Sequence, residues 1–255
     1  MILPIYKRKE IPFFYNKSED EFSKDRYERY DPMVIRQSAL HLIDEVWQEY
    51  PLQDILNFAY EHWPKQEVKN VAEIGCSVGR WIAEIAKQNT ESNCWGIDYS
   101  YQLLRQAHDI WVKGKVDNFD LSRIGFSGNY RVQKKPIQNL NFGLAKAEEL
   151  PFEDNSQDVI LSSFLFDRLD EPEKGMLEMQ RVLKQGGTMI MVTPLNFLKT
   201  EHWSSFHPPI KLYHSLINQG FNILEWKEDL IIKEPLDVRG NTITWNSIAV
   251  ACKKK

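Results

Sequence analysis

The sequence is poor in cysteine, with only Cys76, Cys94 and Cys252 among 255 residues. They are widely spaced, no two have the Cys-x-x-Cys interval, and no histidine lies at a metal-ligand interval from them. Neither a disulfide framework nor a structural zinc site is therefore expected. A chain of this length buries enough apolar surface to fold without such a crosslink. We predict a metal-free protein from a reducing compartment.

An excess of positive charge and a long apolar run are missing as well. The formal net charge is −4, whereas proteins held to nucleic acid mainly by counterion release need a basic face. No apolar run reaches the roughly 18 residues of a membrane span, and Pro4 and the basic segment Lys7–Lys9 interrupt the N-terminus where a signal peptide needs an apolar region. We predict a soluble, cytoplasmic monomer or homodimer with no nucleic-acid or membrane partner.

The first quarter of the chain is patterned for helices. Asp31 followed by Pro32 is typical of a helix start, with an N-cap residue and a proline at the first position. Apolar residues then recur at helical spacing until Pro64 ends the segment. We predict an N-terminal helical extension over residues 1–66, whose aromatic-rich beginning acts as a lid, and a second domain over residues 67–255.

From residue 69 onward, short apolar runs alternate with longer amphipathic stretches. This alternation predicts an α/β fold, a Rossmann-like doubly wound sheet that is mainly parallel. A short turn separates the last two strands, which predicts an antiparallel C-terminal hairpin at one edge. The predicted strands make a seven-stranded sheet and cover residues 71–74, 94–97, 142–145, 158–163, 188–192, 221–232 and 243–252.

Two connections are longer than this fold requires. Residues 114–140 separate the second helix of this domain from its third strand, and residues 194–208 follow its fifth strand. Long insertions in a compact domain are usually functional or disordered. Ligands bind at the carboxyl ends of the strands in such folds, so we predict that residues 194–208 form a substrate loop. The role of the insertion at 114–140 stays open.

A glycine-rich turn joins the first predicted strand of this domain to the helix that follows, with the sequence Gly75-Cys76-Ser77-Val78-Gly79. Gly75 allows a tight turn and a close approach of a ligand to the backbone, and Gly79 allows the helix to pack closely on the strand. About twenty residues further on, the second strand ends in Asp98, at the spacing of an acid that binds a ribose in nucleotide-binding folds.

Three kinds of site would use this turn. A dinucleotide needs a glycine where Ser77 stands, so that the pyrophosphate can approach the backbone. An α/β-hydrolase would use Ser77 as the nucleophile of a Gly-x-Ser-x-Gly elbow, but that fold needs strands before the turn and gives Asp98 no role. A nucleoside cofactor without phosphates fits both the serine and the acid, and we favour this interpretation.

Four motifs in this order resemble the class I S-adenosylmethionine-dependent methyltransferases, especially the UbiE-like, type 11 branch that acts on small molecules. The motifs are AEIGCSVG at 72–79, GIDYS at 96–100, AEELPF at 147–152 leading into NSQDVI at 155–160, and RVLKQGGT at 181–188. The resemblance covers about residues 69–195. It implies the Rossmann-like fold described above, S-adenosylmethionine as cofactor, S-adenosylhomocysteine as product and no metal.

The resemblance also implies which residues line the cofactor site. Glu73, Gly75 and Ser77 would surround the methionine moiety, Asp98 would bind the ribose, and Tyr99 would pack on the adenine. The other residues expected to contact the cofactor are Cys76 and Gly79 in the turn, Ala147 and Glu148 beside the base, and Ser163 and Phe164 near the sulfonium.

Lys146 departs from the family pattern. Relatives often have an acid immediately before the Ala-Glu pair, where it contacts the adenine amine. Lysine offers no hydrogen-bond acceptor, so that contact must be lost or supplied by another group such as Glu148 or the backbone.

Methyl transfer needs mainly the alignment of two reactants and the removal of water, and a general base only when the acceptor must lose a proton. The acceptor is expected near the ends of the fourth and fifth strands, where aromatic side chains at 164–166 and 197–206 join those of residues 1–30. Candidate catalytic residues are Asp167, His202 and His207, and candidate substrate-binding residues are Tyr15, Arg80, Arg168, Asn196 and Trp203. In the alternative interpretation, Asp167 and Arg168 only cap the following helix and the histidines are structural.

A weaker similarity connects the segments FDRL at 166–169, TPLNFL at 193–198 and WNSIAVA at 245–251 with the methyltransferase domain of ovothiol synthases. It nominates an amino-acid-derived heterocycle as the acceptor. We therefore expect methyl transfer to a small molecule, on an oxygen, nitrogen, sulfur or carbon atom that the sequence does not identify. The alternatives are a non-catalytic nucleoside-binding protein that acts through a protein partner and, more remotely, the hydrolase that would use Ser77.

Overall fold

A computed structural model describes residues 1–47 and 49–255. In that part of the chain, no helix has the length and apolarity needed to cross a membrane. The strands are β1 Tyr6–Arg8, β2 Ile11–Phe13, β3 Asn70–Ile74, β4 Asn93–Asp98, β5 Asp117–Asp120, β6 Asn129–Val132, β7 Leu140–Leu144, β8 Gln157–Ser163, β9 Leu183–Thr193, β10 Phe221–Pro235 and β11 Thr242–Lys254.

The helices confirm the alternation expected from the sequence. Three short helical segments are not α-helices: His108–Val112 is a π-helix that continues α7, and Leu121–Ile124 and Phe166–Arg168 are 3-10 turns. The α-helices are α1 Glu19–Lys24, α2 Arg26–Arg29, α3 Asp31–Leu42, α4 Asp44–Trp47, α5 Gln53–Glu61, α6 Arg80–Gln88, α7 Tyr101–Ala107, α8 Pro172–Val182, α9 Thr200–Phe206 and α10 Ile210–Asn218.

The main sheet has the strand order β1-β2-β7-β4-β3-β8-β9-β11-β10. The pairs from β2 to β9 are parallel, and β9, β11 and β10 pair antiparallel. This confirms the Rossmann-like, mainly parallel fold with an antiparallel C-terminal hairpin. The expected number of seven strands was wrong, because β1 and β2 add an antiparallel pair at the other edge. Each has three residues, too few for a periodic pattern.

The direction of β2 decides where the next part of the chain begins. β2 runs parallel to β7, and the N–H of Phe14 donates to the carbonyl of Leu144 at 2.8 Å. The carboxyl end of β2 therefore lies at the same edge of the sheet as those of β7, β4 and β3. Tyr15 and the helices after it start at the edge where this class of fold binds its ligands.

The core has two layers, one on each face of the sheet. On β3, Val71 packs with Ile82 of α6 on one face, whereas Ala72 and Ile74 pack with Met176 of α8 on the other. Successive side chains of a strand point to opposite faces, and residues 71–74 are buried on both, which is typical of a parallel strand covered on both sides. This burial holds the glycine turn after β3 in a fixed position.

The two long connections contain structure of their own. Residues 114–140 include the hairpin of β5 and β6, which forms a separate two-stranded sheet. The loop at 194–208 includes α9. The first connection lies between α7 and β7, and the second follows the carboxyl end of β9, which is the position predicted for a substrate loop.

Candidate functional site

The glycine turn after β3 is held by the neighbouring strand β4. The carbonyl of Ile97 accepts hydrogen bonds from the N–H groups of Gly75 at 2.8 Å and Cys76 at 3.0 Å. Gly75 and Gly79 have φ angles of 76° and 75°, which side chains with a Cβ rarely adopt. A Cβ on Gly79 would lie 2.6 Å from the ring of Phe142. Both glycines are therefore required by this backbone path, as predicted.

Asp98 ends β4 beside this turn. One carboxylate oxygen accepts a hydrogen bond from the N–H of Ser77 and the other from that of Ser100, each at 2.8 Å. Burial raises the pKa of Asp98, while these two amides and the positive charge of Lys17 oppose the shift. A carboxylate has roughly four acceptor positions, so each oxygen keeps capacity for a further donor. Asp98 is thus an oriented acceptor whose two oxygens can each accept one more hydrogen bond.

Glu73 lies on β3 and is only 3% exposed. Its carboxylate accepts a hydrogen bond from the N–H of Ile82 at 2.9 Å, which ties β3 to the first turn of α6. Burial raises the pKa of Glu73 well above its ordinary value, and this hydrogen bond opposes the shift. The contact with a methionine moiety stays a prediction, whereas the contact with the helix is present.

Replacing Glu73 with glutamine is expected to change how stability depends on pH. The folded-state pKa is raised, so the stability that Glu73 contributes is fully present below its ordinary value of 4.5 and is lost as the pH rises toward the raised value. Glutamine does not titrate and keeps an acceptor for Ile82. Denaturant unfolding at pH 5 and pH 8 measures this effect. Between these pH values the free energy of unfolding of the variant should rise relative to the wild type, by about 1.4 kcal/mol for each unit by which folding raises the pKa of Glu73 within that range. Equal differences at both pH values would contradict this, and the exposed Glu91→Gln is the control.

Tyr99 is covered by the N-terminal residues rather than open to solvent. The ammonium of Lys17 lies 3.8 Å from the centroid of its ring, and the ring of Tyr15 lies 6.0 Å away. Lys146 lies 4.5 Å from the ring centroid of Tyr15. The structure thus brings the predicted residues Tyr99 and Tyr15 together, next to a lysine for which the sequence alone suggested no partner.

The far side of the site is formed by the end of β8 and by β11. Phe164 follows β8 with a positive φ of 53°, and its ring meets that of Trp245 at 5.9 Å in an edge arrangement. The guanidinium of Arg168 lies 5.9 Å from the ring centroid of Trp245. Two aromatic rings and one cation therefore lie together here, and Trp245 is a residue that the sequence interpretation did not assign to the site.

Tyr27, in α2, packs against the same buried cluster as Phe164 and Trp245. Burial raises its pKa, the negative charges of Asp98 and Glu234 add to the shift, and Arg168 opposes it. The phenol therefore lies in the field of groups from β4, from β10 and from the segment after β8. The sequence indicates a role for Tyr27 only in that it belongs to the first 30 residues, which are rich in aromatic side chains.

Asp167 and Arg168 fix the loop after β9. Asp167 is 1% exposed and accepts hydrogen bonds from the hydroxyl of Thr193 and from the N–H of Asn196, both at 3.2 Å. Arg168 donates to the carbonyl of Asn196 at 3.0 Å. These contacts make Asp167 a positioning residue for the loop, while the guanidinium of Arg168 remains about one-third exposed.

The two predicted histidines bind backbone carbonyls in this loop. His202 Nε2 lies 3.1 Å from the carbonyl oxygen of Asp170, and His207 Nε2 lies 2.9 Å from that of Leu195. Trp203 stacks on His207 with centroids 4.6 Å apart. Within residues 1–47 and 49–255, no hydrogen bond joins these side chains to the glycine turn, so their predicted catalytic and binding roles stay predictions.

The remaining predicted residues lie around the turn. Arg80 pairs with Asp44 at 2.9 Å and with Glu84 at 3.0 Å, which joins α6 to the N-terminal helices. Cys76 is buried, and burial raises its pKa well above the ordinary value, consistent with an inert thiol. Ala147 is buried and Glu148 accepts a hydrogen bond from the N–H of Glu171 at 3.4 Å, with Ser163 half-buried at the end of β8.

Helix α3 contributes two polar groups that the sequence interpretation missed. The hydroxyl of Ser77 donates to the side-chain carbonyl of Gln37 at 3.4 Å. Ser38, the next residue, is fully buried, and its hydroxyl has no hydrogen-bond partner within the described part of the chain. No local sequence pattern marks Gln37, because its contact with Ser77 joins distant parts of the sequence.

These groups fit a nucleoside cofactor. Asp98 offers acceptors for two hydroxyls, and Gly75 carries no side chain where the side chain of Leu165 already lies, 3.0 Å from the position of a Cβ. The residues that would hold the cofactor are therefore Asp98, the backbone at 75–79 and Gln37 of α3, which contacts Ser77.

Comparison with known proteins finds similarity to methyltransferases. Residues 72–191 match the family model described as a methyltransferase domain. The chain is 41% identical over 86 residues to the ubiquinone/menaquinone biosynthesis C-methyltransferase UbiE of Brucella canis, covering 34% of this chain and 30% of UbiE. It is 24% identical over 160 residues to the ajmaline N-methyltransferase of Rauvolfia serpentina, covering 62% of this chain and 44% of that enzyme.

The fold is also similar to solved structures. A chain in the complex of the Haloferax volcanii Trm112 methyltransferase activator with a methyltransferase matches with a TM-score of 0.60 and 16% identity, covering 90% of this chain and 97% of that one. The matched part spans less than half the length of the two curated relatives. Residues 72–191 of this chain are thus similar to a methyltransferase domain of the kind found in UbiE.

Proposed function

We propose that the protein transfers a methyl group from S-adenosylmethionine to a small-molecule acceptor. The observation that carries the proposal is Asp98, held by the amides of Ser77 and Ser100 beside the glycine turn. UbiE and the ajmaline N-methyltransferase, which resemble part of this chain, are named for small-molecule acceptors. We also propose a cytoplasmic enzyme that does not bind nucleic acid, and the mildly acidic net charge of −4 supports the second part of this proposal.

The chain contributes positioning rather than covalent chemistry. When bound, the cofactor supplies the methyl group as an electrophile. Asp98 would fix the ribose by accepting two hydrogen bonds, and the backbone of 75–79 would set the direction of the nucleoside. Phe164 and Trp245 would exclude water from the acceptor, and alignment together with dehydration supplies much of the rate in such displacements.

The acceptor side favours a planar molecule with an anionic group. Phe164 and Trp245 offer ring faces and edges, and the partly exposed Arg168 offers two N–H donors in the fork geometry that suits a carboxylate. This chemistry agrees with the amino-acid-derived heterocycle suggested by the weaker resemblance. Asp167 would act by holding Arg168 and Asn196, and His202 or His207 would supply a base if the acceptor must lose a proton.

Arg168→Ala is expected to raise KM for carboxylate-bearing acceptors by about tenfold, because a charged hydrogen bond contributes about 1.5–3 kcal/mol, while kcat changes less. The assay measures release of S-adenosylhomocysteine with a panel of heterocyclic amino acids and their decarboxylated analogues. Lys174→Ala, on an exposed pair with Glu171, is the matched control. An equal rise in KM for the amino acids and for their decarboxylated analogues would contradict the binding of a carboxylate by Arg168. Tight S-adenosylhomocysteine binding without turnover on any acceptor would instead favour the non-catalytic alternative.

A further inference from the structure

The N-terminal residues 15–30, named the strap here, cross the carboxyl edge of the sheet above the cofactor site. The strap begins where β2 ends, at the edge shared by β7 and β4. It contains α1 and α2 and leads into α3, whose Gln37 contacts Ser77 in the glycine turn. The strap is therefore connected to the site at both of its ends.

At its beginning the strap is fixed to Lys146. The ammonium of Lys146 pairs with the carboxylate of Glu21. The same carboxylate accepts hydrogen bonds from the hydroxyl of Tyr15 at 2.8 Å and from the N–H of Ser18 at 2.9 Å. Glu21 thus joins the first turn of α1 to the residue just after β7, and its acceptor positions are filled by these partners.

A second contact lies on Tyr99. Lys17 pairs with Asp25 at 2.5 Å and Glu28 at 3.5 Å, and the exposed fractions of the three side chains are 8%, 7% and 2%. Glu28 also accepts a hydrogen bond from the N–H of Tyr101 at 2.6 Å. A buried charge is tolerated when it is paired in this way. The strap is thereby held on the segment that follows Asp98.

The two contacts differ in their access to water. The side chains of Lys146 and Glu21 are 30% and 23% exposed, whereas the group around Lys17 is nearly dry. An ion pair that water can reach opens at lower cost than a buried one, because both charges are rehydrated as they separate. The pair of Lys146 with Glu21 is therefore the contact at which the strap opens first.

The strap also reaches the acceptor side. Tyr27 packs against the same buried cluster as Phe164 and Trp245, the two aromatic residues of the acceptor side. A segment anchored beside β7 and extending toward the segment after β8 covers both the nucleoside end and the acceptor end of the site.

We infer that the strap is a gate for cofactor exchange and that Lys146 is the positioning residue that keeps it closed. The inference rests on the proposed function, since it takes S-adenosylmethionine and S-adenosylhomocysteine as the molecules that pass. A gate slows entry and exit alike. A residue that merely contacts the ligand changes the exit rate and the affinity instead, so the two roles have different kinetic signatures.

The test is stopped-flow binding and displacement of S-adenosylhomocysteine on the full chain. Lys146→Met is expected to accelerate association and dissociation by about three- to tenfold each, as for loss of a partly buried ion pair, with a smaller change in Kd. Lys146→Arg should restore both rates toward wild type, because it keeps the charge. The double variant Glu21→Lys with Lys146→Glu restores an ion pair in the reversed orientation. It should therefore bind and release S-adenosylhomocysteine more slowly than either single variant. Lys174→Met, outside the strap, is the control.

Limited trypsin digestion provides a readout that does not depend on turnover. Lys24, Arg26 and Arg29 in the strap should be cut faster in Lys146→Met than in the wild type, and S-adenosylhomocysteine should protect the wild type more. Rates and cleavage unchanged in Lys146→Met, in a wild type that binds S-adenosylhomocysteine, would overturn the gate while leaving the proposed function intact. A wild type that binds no S-adenosylhomocysteine would overturn the proposed function itself.

Discussion

Replacing Asp98 with alanine is expected to weaken S-adenosylhomocysteine binding by about 100-fold or more, because hydrogen bonds to a charged acceptor contribute about 1.5–3 kcal/mol each and two ribose hydroxyls would lose theirs. Isothermal titration calorimetry on the full chain measures the change directly. The expected loss is large because the carboxylate is already oriented by the amides of Ser77 and Ser100. No energy is then needed to order it when the ligand binds.

The same amides make a control necessary. Without the carboxylate, the N–H groups of Ser77 and Ser100 lose their acceptor, so part of the effect could come from a loosened turn. Thermal unfolding of Asp98→Ala measures that part, and Asp98→Asn keeps one acceptor oxygen at the same position. The exposed Asp54→Ala is the matched control. Full affinity in a folded Asp98→Ala protein would show that the ribose lies elsewhere.

The affinity should also depend on pH in a defined direction. Burial raises the pKa of Asp98 above its ordinary value of 3.8, so the charged form is lost at a higher pH than for an exposed aspartate. Binding that needs the carboxylate is therefore fully present above the raised pKa and weakens as the pH falls through it. Calorimetry from pH 8 downward follows this loss in the wild type, and Asp98→Asn should not show it.

The central sheet was predictable because its information is local. Runs such as Val71–Ile74 are apolar apart from Glu73, and the amphipathic stretches between them have the length of a crossover helix. β1 and β2 could not be predicted in the same way. Each is short, the turn between them uses positive φ angles at Lys9 and Glu10, and β2 joins the central sheet only through its pairing with the distant β7.

The residues of the candidate site also differ in whether a local sequence pattern predicts them. Gly75, Gly79 and Asp98 lie in local motifs, and their backbone roles follow from those motifs. Tyr27 and Trp245 reach the site through contacts between distant elements, which no short pattern encodes. Asp167 was considered as a base because it follows β8; its hydrogen bonds with the loop after β9 could not be read from the sequence, and its role as a base stays a prediction.

Lys146 is a case in which the sequence contains part of the information needed to predict a contact. The sequence marks it as a departure from the acid of related proteins but gives no partner. Ser18 and Glu21 form a capping box, an arrangement visible as Ser-x-x-Glu in the sequence. That motif fixes the orientation of Glu21 at the start of α1. The parallel pairing of β2 with β7 then brings this carboxylate to Lys146. The folded structure therefore explains why a lysine stands where related proteins often have an acid, and the sequence alone does not.

Gly79→Ala is expected to destabilise the protein by about 3 kcal/mol, the combined cost of a positive φ and of an overpacked core. At Gly79 φ is 75°, and the added Cβ would lie 2.6 Å from the ring of Phe142 and 3.4 Å from Ala107. The ring cannot retreat easily, because Phe142 is itself buried between the sheet and α6. Such a loss is a large part of the 5–15 kcal/mol of a typical domain. Denaturant unfolding monitored by tryptophan fluorescence measures it.

Gly186→Ala separates the two causes. Gly186 has a φ of 72°, but a Cβ there would meet nothing within 4 Å. Its alanine variant should therefore show only the backbone cost, about 1–2 kcal/mol. Equal destabilisation by the two substitutions would mean that the contact with Phe142 contributes nothing. Combining Gly79→Ala with Phe142→Leu should cost less than the two single changes together, because the smaller side chain makes room for the methyl group at the turn that holds the cofactor site.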